Sequence, residues 1–142
     1  MKYAISKCLC GINCKYNGSN NLNLKIKELE KNNDVILICP EVLGDLPIPR
    51  IPFEIKDGRA INKENLDITD KVMTGCNKAL KLILDNNIDL VILKENRPTC
   101  GVNFIYDGTF THTKIKGCGF LTKMLKDNNI KVISDVDFNE EK

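Results

Sequence analysis

A chain of 142 residues is long enough to bury one hydrophobic core, and its formal net charge is only +2, from 21 basic against 19 acidic side chains. That balance advertises neither polymeric nucleic acid nor a membrane surface as a partner, and no run approaches the ~20 apolar residues of a membrane span. The N-terminal apolar stretch is too short for a secretory signal, so the expectation is a single domain over 1–142 in the cytoplasm, its seven cysteines kept as thiols.

The chain opens on an apolar, β-rich run, Lys2–Ser6, that leads straight into Cys8, Cys10 and Cys14. Leu22, Ile26 and Leu29 recur at helical spacing and predict a short helix over Leu22–Lys31. Val35–Ile38 reads as the next strand and ends in Cys39-Pro40-Glu41. It is apolar throughout rather than alternating, as is the later run Leu90–Leu93, which suits strands covered on both faces. Glu41–Asp67 then breaks the rhythm. Pro47, Pro49 and Pro52 stiffen it and Asp57-Gly58 predicts a hairpin turn, so the segment reads as an arm over the sheet edge. Val72, Cys76, Ala79, Leu80, Ile83 and Leu84 form the clearest helical stripe, with Thr69-Asp70 as its predicted N-cap and Asp85–Asn87 as its exit.

Leu90–Leu93 runs on into Pro98-Thr99-Cys100-Gly101, and Tyr106-Asp107-Gly108 predicts a second tight turn. Phe120, Leu121, Met124 and Leu125 mark a third helix that exits through Asp127–Asn129, before a last strand over Lys131–Ser134. Strands alternating with helices predict an α/β fold, a mainly parallel sheet flanked by helices, with the proline-rich arm as its irregular part. Ligands of such sheets bind beyond the carboxyl ends of the strands, which all lie on one side. Cys8, Cys39 and Cys100 each follow a predicted strand and are therefore expected to converge. The helices after them are expected to turn their N-termini to that side, which favours thiolates.

An odd count of cysteines argues against a closed disulfide framework and leaves metal binding, thiol catalysis or plain burial. The spacing Cys8-x-Cys10-x3-Cys14 matches no common closed zinc pattern, and His112 is the one histidine. Three convergent cysteines leave a metal or cluster with one open position, the condition of a catalytic site; structural zinc would need a fourth ligand such as Cys10 or Cys14. Cys76 lies on an apolar helical stripe and reads as a buried structural thiol.

The segments SKCLCGINCKYNG, CPEVLGDLPIPRIPFEI, DIT, LKENRPTCG, IYDGTF and GCGFLTKML occur in an order that resembles the thiouracil desulfidase family. The resemblance spans nearly the whole chain. It implies a Rossmann-like α/β domain with a [4Fe-4S] cluster held by Cys8, Cys39 and Cys100, one iron remaining open to the sulfur of a thiolated uracil compound. Glu41, of the Cys-Pro-Glu motif, would be the acid/base residue, and Thr99 the neighbouring hydroxyl. The implied reaction is non-redox desulfuration of thiouracil or 4-thiouridine monophosphate to the oxo form with release of hydrogen sulfide.

Members of the family commonly read Ser-Pro-Ser-Cys-Gly where this chain has Arg97-Pro98-Thr99-Cys100-Gly101. A guanidinium cannot shuttle a proton as a hydroxyl does, but it binds carboxylate or phosphate. Arg97 and Arg50 are therefore expected at an anionic part of the substrate and Tyr106 as a ring that stacks on its pyrimidine, with the partner a small thiolated pyrimidine or nucleotide. The alternative is a cluster protein that carries sulfide to another enzyme without turnover of its own.

Overall fold

The computed structural model describes residues 1–140. Its centre is a four-stranded, all-parallel sheet built from β1 (Lys2–Ser6), β2 (Asp34–Ile38), β5 (Leu90–Leu93) and β8 (Val132–Ser134), in the order β2-β1-β5-β8. Alternate residues of each strand point to opposite faces, and the core divides accordingly. Ala4, Val91 and Leu93 pack on one face with Val72, Ala79 and Ile83 of α3 (Thr69–Asp85) and Leu121 and Leu125 of α4 (Phe120–Asp127). Ile5 and Ile92 pack on the other with Ile26 of α1 (Leu24–Asn32) and Phe138 of α5 (Asp135–Glu140). The predicted α/β sheet with helices on its faces is thus the observed one.

Local departures have local causes. All four residues of β5 are buried, as a strand covered on both faces requires, but β2 lies at the sheet edge and is only partly covered. Helix α1 starts at Leu24, not Leu22, because Asn23 is its N-cap, its side chain accepting the Ile26 N–H at 3.2 Å. Thr69 is the first residue of α3 rather than its cap; the Asp67 carboxylate just upstream accepts the Thr69 N–H at 2.9 Å instead. The Asp-Asn-Asn exits hold: Asn87 and Asn129 follow α3 and α4 in the left-handed region, at φ 52° and 57°.

The arm folds into an antiparallel hairpin of β3 (Phe53–Lys56) and β4 (Arg59–Asn62), turning at Asp57-Gly58 with φ 51° and 74°, the two positive angles of a tight hairpin. A second hairpin, β6 (Phe104–Tyr106) with β7 (Lys114–Lys116), follows the Cys100 loop. Helix α2 (Pro40–Leu43) lies so close on α3 that a side chain at Gly75 would drive its Cβ to 1.8 Å from the Pro40 carbonyl oxygen. That backbone contact fixes where Cys39-Pro40-Glu41 leaves the sheet. Among the described residues no helix is long and apolar enough to cross a membrane.

Candidate metal centre and its outer cleft

The chain passes from β1 to β2 on one side of the sheet and later to β5 on the other, so the topological switch lies at the ends of β1 and β5. The loops leaving β1, β2 and β5 meet there around one cavity. Cys8, Cys39 and Cys100 line it together with Cys14, Glu41 and Thr99. The convergence expected of three distant cysteines is therefore observed. The helix argument for it holds in part: Cys39 stands at the N-cap of α2 and α4 begins against the Cys100 loop, whereas Cys8 lies inside a 3-10 turn over Lys7–Cys10.

Each thiol is held by a different device. Cys100 is clamped by its own loop. Glu95, buried at the end of β5, accepts the N–H groups of Val102, Asn103 and Phe104 on one oxygen, at 2.7, 3.0 and 3.2 Å. From the other side, α4 begins with Phe120 N–H on the Pro98 carbonyl and Leu121 N–H on that of Thr99, at 3.0 and 2.9 Å. That approach needs Gly119, whose added Cβ would lie 2.4 Å from the Thr99 carbonyl carbon. Cys8 follows β1 directly, with Asn21 Nδ2 3.4 Å from its sulfur. Cys39 caps the four-residue α2.

The thiols differ in charge state. A hydrogen bond from the Cys14 thiol, helped by Asn21, Arg97 and Lys94, outweighs burial and pulls Cys8 down to about 6. Turned the other way, the Cys14 S–H, with the Val42 N–H, brings Cys39 down to about 7. Cys14, whose single proton serves one sulfur or the other, is held well above the usual thiol range. Burial pushes Cys100 up despite the Thr99 hydroxyl 3.6 Å from its sulfur. Cys76 is pushed up to about 12 by burial and then by the Glu41 charge, and it does not line the cavity, a structural thiol as expected. Cys10 is raised to about 11, by burial and then by Glu30, and is also outside the cavity wall.

Among the described residues Glu41 is the one carboxylate on this wall, and it is 5% exposed. Arg50 Nε donates to its Oε1 at 2.8 Å and Thr99 Oγ1 donates to its Oε2 at 2.9 Å. Arg50, which the sequence reading assigned to substrate, has its other nitrogens on the carbonyls of Cys14, at 2.9 Å, and Pro47, at 3.2 Å. Its visible work is to fix Glu41 and the arm. Lys7, Lys15, Lys94 and Arg97 add to Arg50, so five cationic side chains face one carboxylate.

Glu41, Lys15 and Arg97 also border a wider cleft, with Tyr16, Phe53, Tyr106, Phe110, Lys63 and His112 on its walls. Counted to their open mouths, the inner cavity holds about 330 Å³ and the cleft about 1310 Å³. Arg97 stands at the junction, its guanidinium 5.6 Å from the centre of the Tyr16 ring. Tyr106 is therefore not at the thiols but in the cleft, edge-on to His112 at 6.0 Å.

A family model described as 2-thiouracil desulfurase matches residues 4–137. The chain belongs to the 2-thiouracil desulfurase family. The resemblance read from its six segments thereby holds. Within reach of the family is YbbK of Bacillus subtilis (strain 168), itself uncharacterized, at 38% identity over 146 aligned residues, 96% of this chain and 97% of that protein. A solved [4Fe-4S]-dependent thiouracil desulfidase, TudS, has the same fold at a TM-score of 0.92 and 33% identity, covering 98% of this chain and 93% of TudS.

The donor set fits an iron–sulfur group. Among the described residues no three His, Cys, Asp or Glu side chains gather tightly enough around one point for a single metal ion. The thiols ring a space instead, and thiolates are the ligands of such clusters. The Cys14 S–H lowers the pKa of Cys8 or Cys39, and a bound cation deprotonates a buried thiol such as Cys100 outright. The cationic wall suits the anionic charge that thiolates and cluster bring together. Sequence reasoning passed over Glu95, Lys94 and the place of Cys14. The signal for Glu95 was its position at the strand end, where a carboxylate can collect loop N–H groups.

Proposed function

We propose that this chain holds a [4Fe-4S] cluster on Cys8, Cys39 and Cys100 and replaces the sulfur of a thiolated uracil compound by oxygen, releasing hydrogen sulfide. The observation that carries the reading is that these three thiols line one cavity with Glu41 and Thr99. When bound, such a cluster offers an iron without a thiolate, a soft Lewis acid that binds a thiocarbonyl sulfur and polarises its carbon–sulfur bond.

The chain's own residues then supply positioning and proton transfer. Glu41 takes a proton from water as it adds to the thiocarbonyl carbon and returns one to the departing sulfur, so thione and water become oxo compound and hydrogen sulfide with no electron exchanged. Arg50 and Thr99 occupy one Glu41 oxygen each, which holds the carboxylate in a single orientation. Tyr106 and Phe110 wall the cleft where the ring enters, and Arg97 at the junction meets an anionic substituent such as a nucleotide phosphate.

The test is to give the anaerobically loaded chain 2-thiouracil and 4-thiouridine monophosphate and to follow both products. Oxo compound and hydrogen sulfide released in equal amounts support the reading. Arg97, a guanidinium at a position where the motif resemblance leads one to expect a serine hydroxyl, favours a second reading, a cluster that takes up sulfide for a partner. Binding of added sulfide with no oxo product from either compound would establish that second reading in place of the first.

A further inference from the structure

Four thiols, not three, line the inner cavity. Cys14 is 4% exposed, and Cys39 Sγ lies 4.0 Å from its carbonyl oxygen. A thiol on the same cavity wall as the three ligands is within reach of whatever they hold. Four thiolates are also what a closed cubane cluster takes, one per iron. Cys10, only two residues from Cys8, does not line the cavity, so the placement is specific to Cys14.

The anchoring of the four differs. The Cys100 loop is fixed at both ends, by Glu95 and by the start of α4, and Thr122 Oγ1 donates to the Cys100 carbonyl at 3.2 Å. Cys8 and Cys39 adjoin β1 and β2 directly. Cys14 belongs to the stretch 11–23, which contains no helix or strand. Its N–H donates to the Ile12 carbonyl at 2.9 Å, and Arg50 Nη2 donates to its carbonyl while Nε holds Glu41. A thiol carried by a loop can shift without moving a strand, whereas the strand-end ligands cannot.

We infer that Cys14 is a displaceable fourth ligand, closing the open iron when no substrate is bound and giving way to the substrate's sulfur. The inference rests on the cluster reading above. Ligation is an exchange without electron transfer: the Cys14 thiol loses its proton to water as it binds iron and regains one when displaced. The closed form protects the iron that oxidants strip from three-thiolate clusters, and Arg50 ties the release of Cys14 to the carboxylate that then acts on the substrate.

The experiment compares the reconstituted wild-type chain with Cys14→Ala, Cys14→Ser and, as a control for loss of a buried thiol, Cys10→Ser. Iron is counted first; the reduced clusters are then titrated with sulfide and followed by electron paramagnetic resonance. An internal thiolate competes at an effective concentration in the millimolar range, so the alanine variant should change its spectrum at about 10-fold lower sulfide than wild type. Stepwise ferricyanide should convert it to the three-iron form first, with Cys10→Ser behaving as wild type. Superimposable spectra and titrations of wild type and both Cys14 variants, all fully loaded, overturn the Cys14 inference and leave the cluster reading standing. Absence of iron from the wild-type chain overturns both.

Discussion

The inner cavity and the outer cleft share Glu41, Lys15 and Arg97, yet they are built in opposite ways. The cavity is made mainly of the ends of parallel strands, so Cys8, Cys39 and Cys100 sit where the sheet puts them and cannot shift without it, while Cys14 comes from the loop 11–23. The cleft is walled by the two antiparallel hairpins and their loops, with Phe53 on β3 and Tyr106, Phe110 and His112 from the second hairpin. The two hairpins meet through Glu54, which accepts the N–H groups of Gly108 and Phe110 at 2.9 and 3.2 Å. Chemistry placed on the sheet and selectivity placed on loops is the division that lets a fold keep a reaction while changing its substrate.

The comparison is broken most severely from the inside. Cys39→Ser should abolish iron binding, read as metal and labile sulfide per chain. Glu41→Gln should keep the cluster and lose turnover by about 10²–10⁴-fold, the usual reach of a general acid–base residue; a normal kcat in that variant would remove Glu41 from the chemistry. Gly75→Ala, outside the cavity wall, forces α2 away from α3 and should cost about 1–3 kcal/mol, seen as a lower Tm. It should also weaken cluster retention, because α2 carries Cys39 and Glu41.

From the outside, Arg97→Ser should leave iron content unchanged and raise KM for a thiolated nucleotide about 10-fold, or about 1.4 kcal/mol, with a smaller change for the free base. The smallest effect concerns acid. Burial works against charge on Glu95, but four backbone N–H bonds outweigh it and hold its pKa below the usual carboxylate value. A depressed carboxylate stabilises the fold above its unfolded pKa and loses that contribution as pH falls through the folded one. Thermal unfolding across pH 6 to about 3 should therefore show a shallower acid decline in Glu95→Gln than in wild type, from a lower starting Tm.

The sheet was legible because its strands are apolar, β-branched runs, and Asp57-Gly58 disclosed the first hairpin turn. Strand β7 was not legible: its three residues are all exposed, so no burial pattern marks them. Helix α2 is a single turn following Cys39 and leaves no periodicity to read. Convergence of Cys8, Cys39 and Cys100 followed from topology alone, since parallel strands share an end. The buried pairing of Glu41 with Arg50 and the position of Cys14 depend on how the arm and the loop 11–23 fold back, which spacing does not encode.

Metal analysis after anaerobic reconstitution tests the central claim most directly. About four irons with matching acid-labile sulfide per chain, lost when Cys8, Cys39 or Cys100 is replaced, is the predicted result. Stoichiometric zinc without labile sulfide, or the same iron content after all three replacements, would contradict it.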